Sequence, residues 1–445
     1  MYVIKPYEKK GQMMIVSKST IPGLVGYLNR QVRLQFGIRS VEVTIHFSDA
    51  IKKENVYLST DVLKQLRLPL TCGYDLVVQG GKVTIGPFIG ILCELTNRKL
   101  TEMLPTYSSF VKGYRYIGGA IAVFSIEGIQ KEKQTITGYL YDPEKNSWEV
   151  KSLPFPAVVM SIAEPSLTAS WEVFHEHMKN FESLLGGRVF NYPHFSKWEM
   201  HQMLRSELKE HLPETTLYTN VENIHEMLNR HGNIYIKPLH GRLGKRIFNV
   251  VKNGEQIKVK YDEKRMRHEE VFSSNADSHL FFQKHLIPGA FLIQQTIPLK
   301  MHKGSVIDFR VMVAKNEKGL WENLGIYSRY GARGQIVSNI TAGGHTEIAR
   351  DTLKTVWKLE DKEIQRVEQE MEQIVLRSIE VLENQGYHLG NIGVDIGLDE
   401  ECHMSIIEIN HQNPDPYIAL MANDRLAFYK CRFQLMRYGR YLGGF

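Results

Sequence analysis

Two apolar strands near the C-terminus carry acidic residues, and this pattern constrains the fold more than any other feature. The first strand reads GVDI (393–396) and the second reads IIEIN (406–410). Because side chains alternate along a strand, Glu408 and Asn410 point to one face, and a short turn would bring Asp395 opposite Glu408. Carboxylates among apolar residues are costly to bury unless a cation compensates them. The segment therefore predicts a β-hairpin that holds a cation.

The oxygen atoms of this hairpin suggest which cation it would hold. Two carboxylates and one amide suit Mg²⁺, which prefers oxygen ligands and keeps some of its waters. We therefore predict Mg²⁺, with Mn²⁺ as an alternative, bound by Asp395, Glu408 and Asn410. The competing interpretation is an exposed hairpin face on which polar residues alternate, and the segment alone does not decide between the two.

A second pattern is an apolar strand that ends in a lysine. The sequence IYIKP (234–238) contains Lys237 and is followed by a loop with Gly241 and Gly244. An ammonium at a strand end can meet a phosphate, and glycines let backbone N–H groups approach its oxygens closely. The loop is not a P-loop, because GxxxxGK[ST] is absent. The competing interpretation is a surface turn with a solvated lysine.

A third pattern places arginines in apolar strands. Asp308 and Arg310 share one strand face within 307–313, and Arg329 ends another apolar segment. A guanidinium binds phosphate or carboxylate through two parallel hydrogen bonds, so both arginines are candidates for an anion site. The competing interpretation is a structural pair of Asp308 with Arg310.

Composition excludes several classes of protein. The net charge of +6 is spread along the 445 residues, which does not favour nucleic-acid binding. The four cysteines are far apart and lack metal-binding spacing, which indicates a reducing compartment. The N-terminus does not read as a signal peptide, and no apolar run is long enough to span a membrane. We therefore expect a cytoplasmic protein that binds no nucleic acid.

Hydrophobic patterning predicts a mixed α/β chain with about three domains. Residues 1–84 read as a β-rich domain, and 85–165 read as a small open α/β domain with a parallel strand–helix–strand unit. The remainder, 166–445, combines both element types. Its predicted helices are 169–185, 196–212, 222–230, 361–385 and 426–441, and its predicted strands are 233–237, 290–297, 306–314, 322–329 and the hairpin 392–410.

The order of these motifs over 190–412 resembles that of an ATP-grasp domain. The order is FSKW (195–198), IYIKP with its loop, FLIQQTI (291–297), DFR (308–310), Ser338-Asn339 with Gly343-Gly344, and GVDIG with EIN. The whole chain resembles the YheC/YheD family of endospore-coat-associated proteins. The resemblance implies an ATP-grasp fold preceded by the small open α/β domain and the N-terminal β-rich domain.

The resemblance also implies a role for each candidate residue. Lys197 and Lys237 would grip the α- and β-phosphates of ATP, and the loop from Gly241 to Gly244 would cover them. Adenine would lie against the hinge segment. The implied hinge residues are Gln294, Gln295 and Ile297; the implied γ-phosphate and acceptor residues are Arg310, Arg329 and Asn339; and the implied metal ligands are Asp395, Glu408 and Asn410.

By this resemblance the chain is expected to be an ATP- and Mg²⁺-dependent ligase. Such an enzyme activates a carboxylate as an acyl phosphate, which an amine or similar nucleophile then captures. The acceptor, a small molecule or a peptide, is not identified by the sequence. The alternative is a coat-associated scaffold that binds nucleotide without turnover. The resemblance places either protein in the mother-cell cytoplasm or on the spore coat, with coat proteins as partners.

Overall fold

The computed structural model describes residues 1–19, 22–165, 169–241, 245–263, 266–333 and 343–445. Within these ranges the chain is a mixed α/β protein, as the sequence predicts, and its strands form four sheets. No helix in the described part of the chain is both long and apolar enough to cross a bilayer. The division at 84/85 and 165/166 stays a prediction.

The first sheet closes on itself as a barrel in the order β1-β5-β2-β4-β3-β7-β6. In β4, Val41, Val43 and Ile45 are buried at every second position, which is the alternation that predicted this strand. The barrel elements are β1 Tyr2–Tyr7, β2 Met13–Val16, β3 Gln31–Phe36, β4 Arg39–Phe47, β5 Asn55–Ser59, α1 Thr60–Leu66, β6 Gly73–Gln79 and β7 Lys82–Gly86.

The second sheet has the order β11-β10-β9-β8-β12-β13. Its centre is parallel, with β8 between β9 and β12, and an antiparallel hairpin of β10 and β11 extends one edge. Nearly all of β8 is buried, as expected of a parallel strand covered on both faces. The elements are β8 Phe88–Glu94, α2 Asn97–Tyr107, α3 Tyr114–Ile117, β9 Ala120–Gln130, β10 Thr135–Asp142, β11 Ser147–Pro154, β12 Val158–Ser161, α4 Ala169–Leu185 and β13 Val189–Phe190.

The third sheet is antiparallel, in the order β14-β19-β15-β16-β17-β18. Strands β16 to β18 were not predicted. The reason is clearest in β18, which has no buried residue and therefore no hydrophobic alternation. The elements are β14 Thr215–Leu217, α6 Val221–His231, β15 Asn233–Pro238, β16 Phe248–Asn253, β17 Gln256–Glu263, β18 Met266–Phe272, α7 Asn275–His285 and β19 Phe291–Gln295.

The fourth sheet has the order β23-β22-β21-β24-β25, with β20 paired to β21. The helix predicted at 196–212 is shorter than expected: α5 ends at Leu204, and the chain turns so that His211 Nδ1 lies 3.0 Å from the Met404 oxygen. The elements are α5 Lys197–Leu204, β20 Met301–His302, β21 Ser305–Lys315, β22 Trp321–Tyr330, β23 His345–Ile348, α8 Ala349–Thr352, α9 Asp361–Asn384, β24 Asn391–Leu398, β25 Met404–Asn410, α10 Tyr417–Met421 and α11 Arg425–Leu442.

Alternation along β21 sets which side chains reach the site. Ile307 and Phe309 point into the core that α9 covers, because α9 presents a buried apolar stripe to this face. Met312 and Ala314 point to the opposite face, where they pack with α10 and α11. Even-numbered positions of β21 therefore share that second face, and the charged residues predicted for this strand are even-numbered.

A buried asparagine joins the second sheet to the fourth. The Asn191 side chain donates from Nδ2 to Asn391 Oδ1 (2.8 Å) and accepts from the Gly390 amide (2.7 Å). Asn191 follows β13 directly, and Asn391 begins β24. These hydrogen bonds fix the start of β24, the strand that carries Asp395.

Candidate active site

A cavity of about 540 Å³ lies between the third and fourth sheets. It brings together ten of the residues that the sequence predicts for a site. These are Lys197, Lys237, Gln294, Gln295, Ile297, Arg310, Arg329, Asp395, Glu408 and Asn410. Gly241 lines a neighbouring cavity, whereas Gly244 and Asn339 lie outside the described residues. The roles assigned to all of them stay predictions.

Two arginines and two aspartates form the floor of this cavity. Arg310 donates to both carboxylate oxygens of Asp395, from Nε to Oδ1 and from Nη2 to Oδ2 (2.9 Å). Arg329 donates to both oxygens of Asp308, at 2.7 and 2.6 Å, and its Nη2 lies 2.8 Å from Asp395 Oδ2. The Asp308 and Asp395 side chains are only 1% and 5% exposed. The floor is therefore a compact, mutually neutralised cluster.

Strand register explains why these four residues meet. Arg310 lies directly opposite Asp395 where β21 pairs with β24, and Asp308 lies opposite Arg329 where β21 pairs with β22. Opposite positions of an antiparallel pair place their side chains next to each other on one face. The competing interpretation from the sequence paired Asp308 with Arg310, whereas in the structure Arg310 donates to Asp395 and Asp308 accepts from Arg329.

Burial and pairing compete in setting the pKa values of this cluster. Burial alone would raise the pKa of the Asp395 carboxyl, but Arg310 and Arg329 outweigh it and lower that pKa. For Arg329, burial alone would lower the pKa, but the carboxylates of Asp308 and Asp395 raise it. The Asp395 carboxyl and the Arg329 guanidinium are therefore both charged at neutral pH.

The three predicted metal ligands lie together beside this cluster. Asp395 opposes Glu408 in the pairing of β24 with β25, and Asn410 Nδ2 lies 3.4 Å from Asp395 Oδ2. Every residue of β24 is buried, and Asp395 is 3% exposed, so the exposed-hairpin interpretation is wrong. Two carboxylates and an amide that line one cavity fit Mg²⁺, because all of them supply oxygen atoms.

Two lysines approach the ligands from other elements. Lys197 is the first residue of α5, where Ser196 and Glu199 form a capping box. Its ammonium donates to the Gly241 oxygen (2.9 Å) and lies 3.0 Å from Glu408 Oε1. Near a helix N-terminus, the helix dipole adds to its attraction for anions.

Lys237, at the end of β15, has a neutral partner. Its ammonium donates to Gln294 Oε1 at 2.6 Å. Burial lowers the pKa of Lys237 to about 8, although Glu408 partly opposes this effect. The interpretation of Lys237 as a solvated surface lysine is therefore wrong. A half-buried ammonium whose hydrogen-bond partner is neutral is well suited to receive an anion.

The hinge segment after β19 is held by its own hydrogen bonds. The amides of Gln295 and Thr296 donate to the backbone oxygens of Glu214 (2.8 Å) and Asn233 (3.2 Å), and Gln294 Nε2 donates to Thr215 Oγ1 (3.0 Å). Those two amides are thus already used.

Two glycines of the GVDIG motif make room for the site. A Cβ at Gly393 would come within 2.9 Å of Arg310 Cδ, and a Cβ at Gly397 would come within 2.6 Å of Leu299 Cδ2 and 3.2 Å of Ile297 Cγ2. Gly393 therefore lets Arg310 cross β24, and Gly397 lets the hinge segment pack on the same strand.

The sequence interpretation missed part of the cavity wall. Asn413, Pro414 and Asp415 line it directly after β25. A polar segment immediately behind the ligand-bearing strand was the available signal. A different acidic group, formed by Asp399, Glu401 and His403, lies in the turn between β24 and β25, where Glu401 and His403 are exposed. It lines neither cavity.

Comparison with known proteins identifies relatives of the chain. A family model described as "YheC/D like ATP-grasp" matches residues 186–442. The endospore coat-associated protein YheD of Bacillus subtilis is 30% identical over 389 residues, which cover 84% of this chain and 83% of that protein. YheC of the same organism is 25% identical over 149 residues, 33% of this chain and 41% of that protein. The D-alanine-D-alanine ligase of Coxiella burnetii superposes with a TM-score of 0.43 and 10% identity, over 79% of this chain and 94% of the ligase.

Proposed function

Since the chain belongs to the YheC/D-like ATP-grasp family, we propose that it is an ATP- and Mg²⁺-dependent ligase that activates a carboxylate as an acyl phosphate. An amine or similar nucleophile then captures the acyl group. One observation carries the proposal. Within the described residues, two lysines, two arginines and three metal-type oxygen donors line a single cavity between two sheets.

The residues that line this cavity divide the binding of Mg·ATP between them. Asp395, Glu408 and Asn410 would hold Mg²⁺, which, when bound, neutralises phosphate charge and polarises the phosphoryl group. Lys237 exchanges its neutral partner Gln294 for a phosphate oxygen. Lys197 does the same with the Gly241 oxygen and Glu408. The Gln294–Ile297 segment lies against adenine.

Arg310 and Arg329 act on the phosphoryl group that is transferred. A carboxylate oxygen of the acceptor attacks the γ-phosphorus, and ADP leaves with the electron pair of the broken bond. Preorganised guanidinium groups stabilise the charge on the phosphoryl oxygens, because Asp308 and Asp395 already fix their orientation. The Arg310 and Arg329 side chains are 11% and 13% exposed, so few waters compete for them.

The biological setting is part of the proposal. Two relatives are named endospore coat-associated proteins. We infer that this chain acts in the mother-cell cytoplasm or at the spore coat, on a peptide or small molecule of the spore envelope. Coat proteins are the corresponding partners.

Positional isotope exchange tests the proposed reaction without knowledge of the nucleophile. Full-length protein is incubated with Mg²⁺ and ATP labelled with ¹⁸O in the β,γ-bridge, together with a panel of amino acids, peptides and spore-wall precursors. Reversible acyl phosphate formation moves the label to non-bridging positions of the β-phosphate when the correct carboxylate is present. Tight Mg·ATP binding without exchange or ADP release for any carboxylate would instead support the nucleotide-binding scaffold.

A further inference from the structure

A groove of about 400 Å³ lies on the outer face of the N-terminal barrel. Among the described residues, it shares no lining residue with the two cavities near the candidate active site. Strand register sets its floor, because Ile15 of β2 lies opposite Tyr57 of β5 on one side and His46 of β4 on the other. The residues that flank Ile15 and Tyr57 along their strands are buried in the barrel core. Both side chains therefore point outward, into the groove.

The lining of the groove is mostly apolar. Met13 precedes Ile15 by two positions on the outward face of β2, and Tyr7, Phe47 and Ile51 add further apolar surface. All of these side chains are half-buried, so part of each one is exposed to solvent. Apolar surface that is concave and surrounded by charged residues is typical of a binding site for another molecule.

The barrel also carries the surplus positive charge of the chain. Residues 1–84 contain twelve lysines and arginines but six aspartates and glutamates, and this surplus of six equals the net charge of +6 of all 445 residues. The rest of the chain therefore has no net charge. The positive residues are spread along the chain, but acidic residues are sparse in the barrel. The net charge is thus concentrated in the barrel, whereas the sequence analysis expected an even spread.

The positive charge near the groove comes from lysines. Residues 5–18 and 46–57 supply the whole described lining, and they contain six lysines, no arginine and three acidic residues. Lys9 lines the groove itself. Lys5, Lys9 and Lys10 form no ion pair with a carboxylate of the described residues. The groove therefore lies in a positive potential that attracts carboxylates.

Shape and charge together favour a peptide over other polyanions. A flat lipid surface does not reach a concave floor. A nucleic acid needs cations along the path of its phosphates, whereas Lys9 is the one lysine or arginine among the described residues that line the groove. A peptide satisfies both features, because its apolar side chains can fill the floor while its carboxylates meet the surrounding lysines.

We propose that this groove docks an acidic peptide segment of a partner protein, with apolar side chains of the segment against Ile15 and Tyr57 and its carboxylates beside the lysines. The inference goes beyond the proposed function and does not depend on it. It assigns a role to the N-terminal barrel, for which the motifs of the ATP-grasp domain give none.

Three matched peptides test the chemistry of the partner. The first alternates glutamate with leucine and phenylalanine, the second replaces each glutamate by lysine, and the third replaces each leucine and phenylalanine by serine. Each is labelled with fluorescein and titrated with full-length protein, and binding is followed by fluorescence anisotropy. We expect the first peptide to bind at least tenfold more tightly than the other two, and added salt to weaken it. Equal affinities of the three peptides would overturn the inference.

The same assay distinguishes the other possible occupants. Labelled oligothymidine and phosphatidylglycerol vesicles represent nucleic acid and an anionic membrane, and we expect both to bind more weakly than the acidic apolar peptide. Tighter binding of either one would overturn the inference. Self-association of the peptide-free protein in sedimentation experiments, if Lys9→Glu abolishes it, would assign the groove to a second copy of the chain and would also overturn it.

Two variants assign the peptide to this groove. Lys9→Glu should weaken the acidic apolar peptide at least tenfold, and Tyr57→Ser should weaken it several-fold. Lys64→Glu is the matched control for charge, because Lys64 is exposed on α1 and lies outside the groove. Tyr116→Ser is the control for loss of a tyrosine, because Tyr116 is 62% exposed and also lies outside the groove.

Thermal unfolding checks that each variant is folded. If Tyr57→Ser unfolds, Lys9→Glu still decides the outcome, because the Lys9 side chain is exposed. Equal peptide affinity of the Lys9→Glu and Lys64→Glu proteins would contradict the assignment to the groove. Calorimetry with Mg·AMP-PNP on the same proteins tests the proposed function separately, and both groove variants should keep the nucleotide affinity of the wild-type protein.

Discussion

The cavity between the third and fourth sheets has two walls, and the charged side chains of these walls are compensated in different ways. On the fourth-sheet wall, Arg310 and Arg329 are each bound to aspartates that lie opposite them on neighbouring strands. On the third-sheet wall, Lys237 donates to an uncharged amide, and burial lowers its pKa to about 8. The charges on the fourth-sheet wall are neutralised within the protein. On the third-sheet wall, the positive charge of Lys237 is only partly compensated by its surroundings. Arg310 and Arg329 are therefore held in position by the protein itself, whereas Lys237 donates to a neutral group and can bind an anion in its place.

This contrast has an energetic consequence. A buried ion pair contributes little when intact, but removal of one partner leaves an uncompensated buried charge. A half-buried lysine with a neutral partner, such as Lys237, instead destabilises the ligand-free protein slightly and recovers that free energy when an anion binds. Variants of the two walls should therefore separate loss of folding stability from loss of nucleotide affinity.

The largest effect is expected for Asp395→Asn. The substitution keeps the shape of the side chain but leaves Arg310 without its bidentate partner, so the free energy of unfolding should fall by about 3 kcal/mol. Urea unfolding followed by circular dichroism measures this. The control is Glu408→Gln on the next strand, where the side chain is 32% exposed and its removal should cost under about 1 kcal/mol. Equal losses in the two variants would show that the floor is not a coupled cluster.

Gly397→Ala tests how closely the hinge segment packs on β24. The added methyl group would lie 2.6 Å from Leu299 Cδ2, so we expect a loss of about 2 kcal/mol in stability together with weaker Mg·ATP binding. Gly187→Ala is the matched control, because no atom lies within 4 Å of its added Cβ. Thermal unfolding and calorimetry measure the two effects. An unchanged Gly397→Ala protein would show that this contact tolerates displacement.

Lys237→Met should affect binding without destabilising the fold. The methionine fills similar volume without a partly desolvated charge, so the free energy of unfolding should stay equal or rise. Mg·ATP affinity should fall at least tenfold, because a phosphate contact is lost. Lys258→Met is the control and should leave affinity unchanged, because the Lys258 side chain on β17 is 37% exposed and lines neither cavity. A Lys237→Met protein that binds Mg·ATP normally would remove the third-sheet wall from the phosphate site.

The smallest effect is a proton linked to binding. With a pKa of about 8 in the free protein, Lys237 is mostly charged at pH 7 and mostly neutral at pH 9. Phosphate favours the charged form, so Mg·ATP binding at pH 8.5 should take up a fraction of a proton, and affinity should fall as pH rises above 8. Because the unfolded lysine keeps its ordinary pKa of 10.5, this group also makes stability of the free protein rise between pH 8 and 10.5.

Calorimetry at pH 8.5 in buffers of different ionisation enthalpy measures this uptake. Lys237→Arg is the matched control, because arginine stays protonated and should abolish the Lys237 contribution. Uptake of the same size in the arginine variant would assign the proton to another group.

The sequence predicted the strands that carry the site because their apolar alternation is strong. It also placed ten candidate residues that the structure brings to one cavity. It did not reveal that Asp308 binds Arg329, since that depends on the register between β21 and β22, two strands that sequence patterning locates but does not align. The exposed strand β18 was missed because its side chains contact little apolar surface.

The glycines of GVDIG are a second example of a feature whose structural reason the sequence pattern does not reveal. Their spacing was visible in the sequence, but the reason for it lies in distant residues. Leu299 and Arg310 approach β24 only after the hinge segment and β21 have packed on it. Motif order therefore identifies the family, whereas packing between separate segments determines the geometry of the site.

The most direct test of the account is a crystal structure of the full chain with Mn²⁺ and AMP-PNP, using the anomalous signal of manganese. The account predicts a manganese peak in contact with Asp395, Glu408 and Asn410, adenine beside Gln294 to Ile297, and Lys237 on a phosphate oxygen. Manganese bound instead in the turn of Asp399, Glu401 and His403 would contradict the account. Nucleotide located in the neighbouring cavity that Gly241 lines would also contradict it.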